Sequence, residues 1–379
     1  MRFEFATATR IVFGEGTAAT LPELVRTFGT RPLVVTGASI ERAAWLVSEL
    51  SAEVFAVPGE PTVDLVREGA RRVQDSNCDV ILSLGGGSAI DAGKAIAAVA
   101  TNGGDPLEFL EVLGQGRAIV VPPLPFLAVP TTAGTGSEVT RNAVLGSTEH
   151  GVKVSLRSQL MLPKIALVDP ELTYGLPPAV TAATGLDALT QLIEPYVSVR
   201  ANPLVDAICV AGIRRITGAL RRVYHDGADR EARRDMALAS LFGGLALANA
   251  GLGVVHGFAA PLGGSWKAPH GALCAALLPH GMAANVAALR ARAPQHPALD
   301  RYSAIARLLT GRKEASEEDG IEWIRELCVE LNVPPLRAWG IDKADLPGVV
   351  EKAARASSMQ ANPLPLTGEE LLRVAMAAL

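Results

Sequence analysis

Residues 80–97 read VILSLGGGSAIDAGKAIA. The unbroken apolar run Val80–Leu84 meets Gly85, Gly86, Gly87 and Ser88, and helix-forming residues follow at once. A short apolar run bounded by glycine predicts a strand covered on both faces, as in a parallel sheet. Three glycines remove every side chain from the turn, so backbone N–H groups can approach an anion closely. The helix N-terminus behind them favours negative charge. By mechanism this is a pyrophosphate cradle, although the spacing is not G-x-G-x-x-G. A plain glycine-rich turn reads the same way, with Asp91 and Lys94 on the first helical turns free to meet a ribose or cap the helix.

Outward from this stretch, short apolar runs alternate with helical patterns. Strands are expected at Leu33–Thr36, Val54–Val57, Val80–Leu84, Phe126–Val129 and Ile165–Val168, with helices near Glu41–Leu50, Val63–Asp75 and Ala89–Ala100. That alternation predicts parallel strands with helices on both faces. Beyond Thr181 the strand signal fades, and Val205–Tyr224, Arg230–Asn249, Leu299–Leu309, Glu317–Leu331 and Thr367–Leu379 carry helical periodicity. The expectation is an α/β, Rossmann-like parallel-sheet domain over residues 1–175, then an all-helical domain over residues 176–379.

Composition narrows the function classes. The chain has 379 residues, 49% hydrophobic and 20% charged, which suits two globular domains rather than a disordered chain. Its net charge of −4 and scattered Lys and Arg leave no footprint for nucleic acid. Cys78, Cys209, Cys274 and Cys328 form no CxxC pair and read as reduced thiols of a cytoplasmic protein. Residues 236–266 carry no formally charged side chain, but Gly, Asn249, His256 and Pro261 interrupt them. A buried helix followed by a glycine-rich turn is expected there, not a membrane span.

Three further segments carry chemistry. In AVPTTAGTGSEVT (residues 128–140), Thr131, Thr132, Thr135, Ser137 and Thr140 follow the end of a strand, where parallel sheets bind ligands. Ordinary turn and cap hydroxyls are the alternative. In TGLDALTQLIEP (residues 184–195), Asp187 and Gln191 lie four apart on one helix face. An Asp and a His at that spacing would make a good metal pair; Asp and Gln make a weaker one. Residues 251–281 then supply His256, His270 and His280, with Pro261, Gly263, Gly264 and Pro269 breaking any continuous helix between the first two. If Asp187, His256 and His270 converge, one oxygen and two imidazoles suit Fe²⁺ or Zn²⁺. Satisfied core histidines are the alternative.

Together these segments resemble the iron-containing alcohol dehydrogenase family. The resemblance runs from IVFGEG at Ile11 almost to the C-terminus, through GGGSAIDAGKA, VPTTAGTGSEVT, VDPELT, GLDALT and PHGALCAALLPH in the family's order. It implies dinucleotide contacts at Gly86, Gly87, Ser88, Asp91, Thr131, Thr132, Thr135, Thr140 and Lys153, and metal ligands at Asp187, Gln191, His256 and His270. Asp187, His256 and His270 are the implied catalytic set. Gln191 stands where the family has His, and Ala260 where many members carry a further His. At the end of the second expected strand, Gly37 stands where NAD-preferring members often have Asp, and Ser39 follows near enough to meet a phosphate.

The activity implied is hydride transfer between NAD(P)(H) and a small alcohol/aldehyde pair, in a cleft between the domains, assisted by divalent Fe or Zn. A homodimer without nucleic-acid or membrane partners is expected. A dehydroquinate synthase-type lyase and a cofactor-binding protein with lost catalysis are the competing readings. The lyase would need several Lys and Arg near the metal, and the His256–His270 stretch offers only Lys267.

Overall fold

The computed structural model describes residues 2–111, 114, 116–147 and 152–379. They form two compact units: a sheet unit, Ala6–Thr132 with Gly136–Tyr174, and a helical unit, Gly175–Leu379 with Ala133–Thr135 and residues 2–5.

The sheet unit holds strands β1 (Arg10–Phe13), β2 (Pro32–Thr36), β3 (Glu53–Ala56), β4 (Val80–Gly85), β5 (Phe126–Pro130), β6 (Asn142–Ser147), β7 (Val152–Arg157) and β8 (Ile165–Val168). Its helices are α1 (Leu21–Arg26), α2 (Ala44–Leu50), α3 (Val63–Asp75), α4 (Gly87–Asn102) and α5 (Pro106–Phe109). Six strands pair in parallel in the order β1-β8-β5-β4-β2-β3.

Alternate strand residues feed opposite cores. Leu33, Val35 and Ile81 join the cluster beneath α3 and α4, whereas Val34, Val80, Leu82 and Leu84 join the one beneath α1 and α2. All six residues of β4 are therefore buried, which is why the strand reads as one apolar run. Gly93 lets α4 lie close to β4: a Cβ there would sit 2.1 Å from Ser83 Oγ, which donates to Ala89 O at 2.9 Å.

The order reverses at β2. Its chain continues to β3 on one side, while β4 on the other side continues to β5. The loops after β2 and β4 thus part in opposite directions, the position where open α/β sheets leave a ligand crevice.

Two features were not expected from the sequence. β1 is an edge strand paired only with β8, with Arg10 and Ile11 exposed. β6 and β7 form an antiparallel hairpin with Ala143, Leu145 and Ser147 buried on one face of β6.

The helical unit comprises α6 (Pro178–Val197), α7 (Pro203–His225), α8 (Arg230–Ala250), α9 (Val254–Ser265), α10 (His270–Arg292), α11 (Ala298–Thr310), α12 (Glu317–Glu330), α13 (Leu346–Ala354) and α14 (Gly368–Ala377). No strand occurs among the described residues beyond Val168. Thr367 caps α14 in a capping box with Glu370.

α6 is the central helix, packed by α7, α8 and α10. Gly185 through Pro195 are all buried, so its polar residues lie inside the unit. α8 ends at Gly251, whose φ of 73° turns the chain, and α9 leaves at 99° to α8. The uncharged stretch 236–266 is therefore two bent helices. α10 is long and apolar enough to cross a bilayer, but 78% of its most apolar stretch is buried within the protein.

Pro261 lies inside α9, so it does not break that helix; the break falls over Trp266–Pro269. Pro279 lies inside α10 and cannot donate to the carbonyl of Ala275. The Cys328 thiol, with Sγ 3.6 Å away, donates to that oxygen instead.

Candidate functional site

The sheet unit assembles its candidate site at the carboxyl ends of β2, β4 and β5. Gly86 is the N-cap of α4, and no side chain caps that end, so the first N–H groups of the helix have no intrahelical partner. A Cβ on Gly86 would lie 3.5 Å from the side chain of Thr132, while one on Gly37 would meet nothing within 4 Å. Thr131 N–H donates to Gly85 O, tying the threonine loop to the glycine turn. Ser39 begins a short 3₁₀ turn and makes no capping bond with its side chain.

Behind this rim is a saturated polar network. Lys94 is 1% exposed, and its Nζ donates to Ser137 O at 2.9 Å, Ser137 Oγ at 3.2 Å, Thr140 Oγ1 at 3.0 Å and Asn142 O at 2.7 Å. Asp91 pairs with Lys94 at 3.6 Å, accepts from Val144 N–H at 2.9 Å and accepts a short bond from Ser137 Oγ. Asp91 and Thr140 are thus engaged within the protein and hold the loop's shape. Lys153, on β7, pairs with Glu60 at 3.1 Å. Thr135 belongs to the helical unit by packing, whereas Thr131 and Thr132 belong to the sheet unit.

In the helical unit, α6 presents five buried polar residues, Thr181, Asp187, Thr190, Gln191 and Glu194. Thr190 Oγ1 donates to Leu186 O at 2.7 Å. Gln191, with its amide turned so that Nε2 faces the loop, donates to Gly134 O and Thr135 O at 3.2 Å each. Glu194 accepts from Val255 N–H at 2.7 Å and meets His256 Nδ1 at 2.7 Å. Gly253 makes room for this contact, since a Cβ there would lie 3.0 Å from Glu194 Oε1.

Asp187 is different. Its Oδ1 lies 3.3 Å from His256 Nε2 and 3.8 Å from His270 Nε2. Asp187 Oδ1 and His256 Nε2 are both buried without a hydrogen-bond partner. The Glu194 carboxylate holds a proton on His256 Nδ1 and so orients the ring with Nε2 aimed at Asp187. His270 opens α10, its ring centroid 5.4 Å from that of His256. Its side chain is 36% exposed, against 1% for Asp187 and 5% for His256.

Burial works against the charged forms here, but the neighbouring charges outweigh it. His270 and His256 hold the Asp187 carboxyl below the usual range. Cys274 and Asp187 push His270 up to about 9, and Cys274 and Glu194 raise His256 well above its ordinary value.

Asp187, His256, His270 and Cys274 each offer a ligand atom within 4.8 Å of the others. Two of these residues fit a metal by a separate criterion: they carry buried polar atoms that no protein group satisfies. Sequence reasoning missed Glu194 and Cys274. Glu194 stands seven residues beyond Asp187 on one helix face, and Cys274 four beyond His270. Helical spacing was the available signal for both.

The profile of the iron-containing alcohol dehydrogenase family matches residues 8–170, and that of the family's C-terminal region matches residues 181–379. The chain belongs to the iron-containing alcohol dehydrogenase family. It is 36% identical to alcohol dehydrogenase 4 of Schizosaccharomyces pombe, over 97% of this chain and 87% of that one. The crystal structure of a 1,3-propanediol oxidoreductase superposes with a TM-score of 0.91 at 34% identity, covering 100% of both chains. Sulfoacetaldehyde reductase from Bifidobacterium kashiwanohense, in complex with NAD⁺, superposes with a TM-score of 0.87 at 26% identity. That match covers 100% of this chain and 99% of the other.

Proposed function

We propose that this chain interconverts a small alcohol and its aldehyde or ketone by hydride transfer with NAD(P)(H), assisted by a divalent cation at Asp187, His256 and His270. The observation that carries the reading is the pair of buried, unpaired atoms Asp187 Oδ1 and His256 Nε2, 3.3 Å apart. A cation bound there would act as a Lewis acid on the substrate oxygen while the nicotinamide exchanges the hydride.

The protein's own part is binding and orientation. Glu194 holds the His256 ring from behind through Nδ1. The free N–H groups at the start of α4 take the pyrophosphate, and Thr131 and Thr132 flank it. Asp91, Lys94 and Thr140 keep the loop in shape from beneath. His270 is the most exposed of the three and borders the open side of the cluster. The NAD⁺ carried by the sulfoacetaldehyde reductase relative supports the cofactor class. Open space at Gly37 and the uncapped Ser39 side chain leave room for a 2′-phosphate, so NADPH is accepted at least as well as in family members with an Asp at that position.

Exhaustive chelation, followed by readdition of Zn²⁺ or Fe²⁺, tests the reading with a short-chain aldehyde and NADH or NADPH. Turnover should vanish on chelation and return with the metal. Undiminished turnover after chelation would instead make His256 or His270 the proton donor. Tight cofactor binding without turnover of any aldehyde would favour a binding protein that has lost catalysis.

A further inference from the structure

Gln191 leaves the family's ligand set one imidazole short, and the structure places a sulfur at the cluster. Cys274 lies one turn after His270 on α10, fully buried, with Sγ 3.6 Å from His270 Nε2. Its sulfur faces the same space as the unpartnered Asp187 Oδ1 and His256 Nε2. Gln191 is engaged elsewhere, its amide donating to the carbonyls of Gly134 and Thr135.

Three of the six spacings match those of a single four-coordinate ion, and all six lie within 4.8 Å. Tetrahedral bonds of about 2.0–2.3 Å place neighbouring ligand atoms about 3.3–3.8 Å apart. The observed separations are 3.3 Å for Asp187–His256, 3.8 Å for Asp187–His270 and 3.6 Å for His270–Cys274.

We propose that Cys274 is a metal ligand of this chain, completing an oxygen, two-nitrogen, sulfur set with Asp187, His256 and His270. The inference rests on the metal reading above and sharpens it. On binding, the thiol gives its proton to solvent and the thiolate sulfur donates to the ion. Two anionic ligands then face one dication, and the soft sulfur shifts preference from Fe²⁺ towards Zn²⁺ and Co²⁺. The amide of Gln191 becomes a brace for the loop at Gly134 and Thr135 rather than a ligand.

Cobalt substitution of the full chain tests this without reference to activity. Co²⁺ titrated into metal-free protein should bind one equivalent by calorimetry and show visible d–d bands with a near-ultraviolet thiolate-to-cobalt charge-transfer band. Cys274→Ser and Cys274→Ala should lose the charge-transfer band but keep d–d bands at higher Co²⁺, with Zn²⁺ affinity weakened by about a hundredfold or more. Cys209→Ala and Cys328→Ala should keep the band. One equivalent of bound cobalt without a charge-transfer band, or a band that survives in folded Cys274→Ala, overturns the assignment of Cys274 alone. Failure to bind Co²⁺ or Zn²⁺ at all overturns the metal reading and this inference with it.

Discussion

Lys94 in the sheet unit and Asp187 in the helical unit are each 1% exposed, yet their charges are handled in opposite ways. The Lys94 ammonium reaches four oxygens of Ser137, Thr140 and Asn142 and pairs with Asp91. Nothing about it is left open. Asp187 keeps one oxygen unpaired and turns it towards an equally unpaired nitrogen of His256. A buried charge with every valence met fixes the shape of a loop. One with open valence keeps a bonding position that a ligand can fill. The contrast separates a network in the sheet unit that gives form from a cluster in the helical unit that is suited to chemistry.

Substitution of each charge should therefore fail differently. Asp187→Asn is nearly isosteric, and with the Asp187 charge removed a neutral His256 can accept at Nε2 from the new amide. Stability should hold or rise while turnover falls by about a thousandfold, the scale of losing one electrostatic group at a reacting centre. Metal content, kcat and urea unfolding measured together check this. Loss of turnover through unfolding would mean that Asp187 is structural and the contrast is false.

Lys94→Met should do the reverse. It strands Asp91 as a buried charge and leaves the Ser137 and Asn142 carbonyls without their donor. Breaking a buried pair in this way costs about 3–5 kcal/mol. Urea unfolding should show that loss, and metal binding at Asp187 should survive in whatever protein stays folded. A Lys94→Met protein as stable as the parent would show that the network does not hold the loop.

How much of this could be read in the sequence divides along the same line. β4 and its glycine turn were legible because burial on both faces writes an unbroken apolar run, and α3 because its buried residues repeat at helical spacing. The hairpin of β6 and β7 left only a weak alternation around Gly146, and β1 is short with a single partner strand. At the site, Asp187, His256 and His270 could be nominated, but only folding brings α6, α9 and α10 together. Glu194 meets His256 across 62 residues of chain, so no local pattern announces the pair. Cys274 stands four residues after His270, a helical spacing, but in the sequence it looks like any of four scattered thiols.

Glu138 is where the comparison is most exposed, because it is a buried group of the sheet unit with an unpartnered Oε2. Protonation resolves the difficulty: burial pushes its carboxyl up from 4.5 to about 7. Between those values the folded state holds the proton more tightly than the unfolded chain, so stability falls as pH rises from 4.5 and levels off above 7. The shift corresponds to at most about 3 kcal/mol. Glu138→Gln cannot ionise, so its stability relative to the parent should climb between pH 5 and pH 8. A difference that stays flat with pH would mean Glu138 is ionised and satisfied throughout.

The smallest expected effect concerns the rim of the sheet unit, where the structure leaves space rather than an unmet bond. Gly37 follows β2 at the reversal of strand order, and a Cβ there meets nothing within 4 Å. Its φ is not positive, so Gly37→Asp should fold without strain. The new carboxylate would accept from the ribose hydroxyls of NADH and repel the 2′-phosphate of NADPH. Two like charges about 4 Å apart near water interact by about 1 kcal/mol, and a phosphate carries nearly twice that charge. Screening returns the estimate to about 1.4 kcal/mol, or tenfold. The ratio of kcat/KM for NADPH over NADH should therefore drop by about tenfold, with kcat for NADH little changed. Steady-state kinetics with both cofactors would measure it. An unmoved ratio would place the adenosine ribose away from the end of β2 and remove Gly37 and Ser39 from the cofactor site.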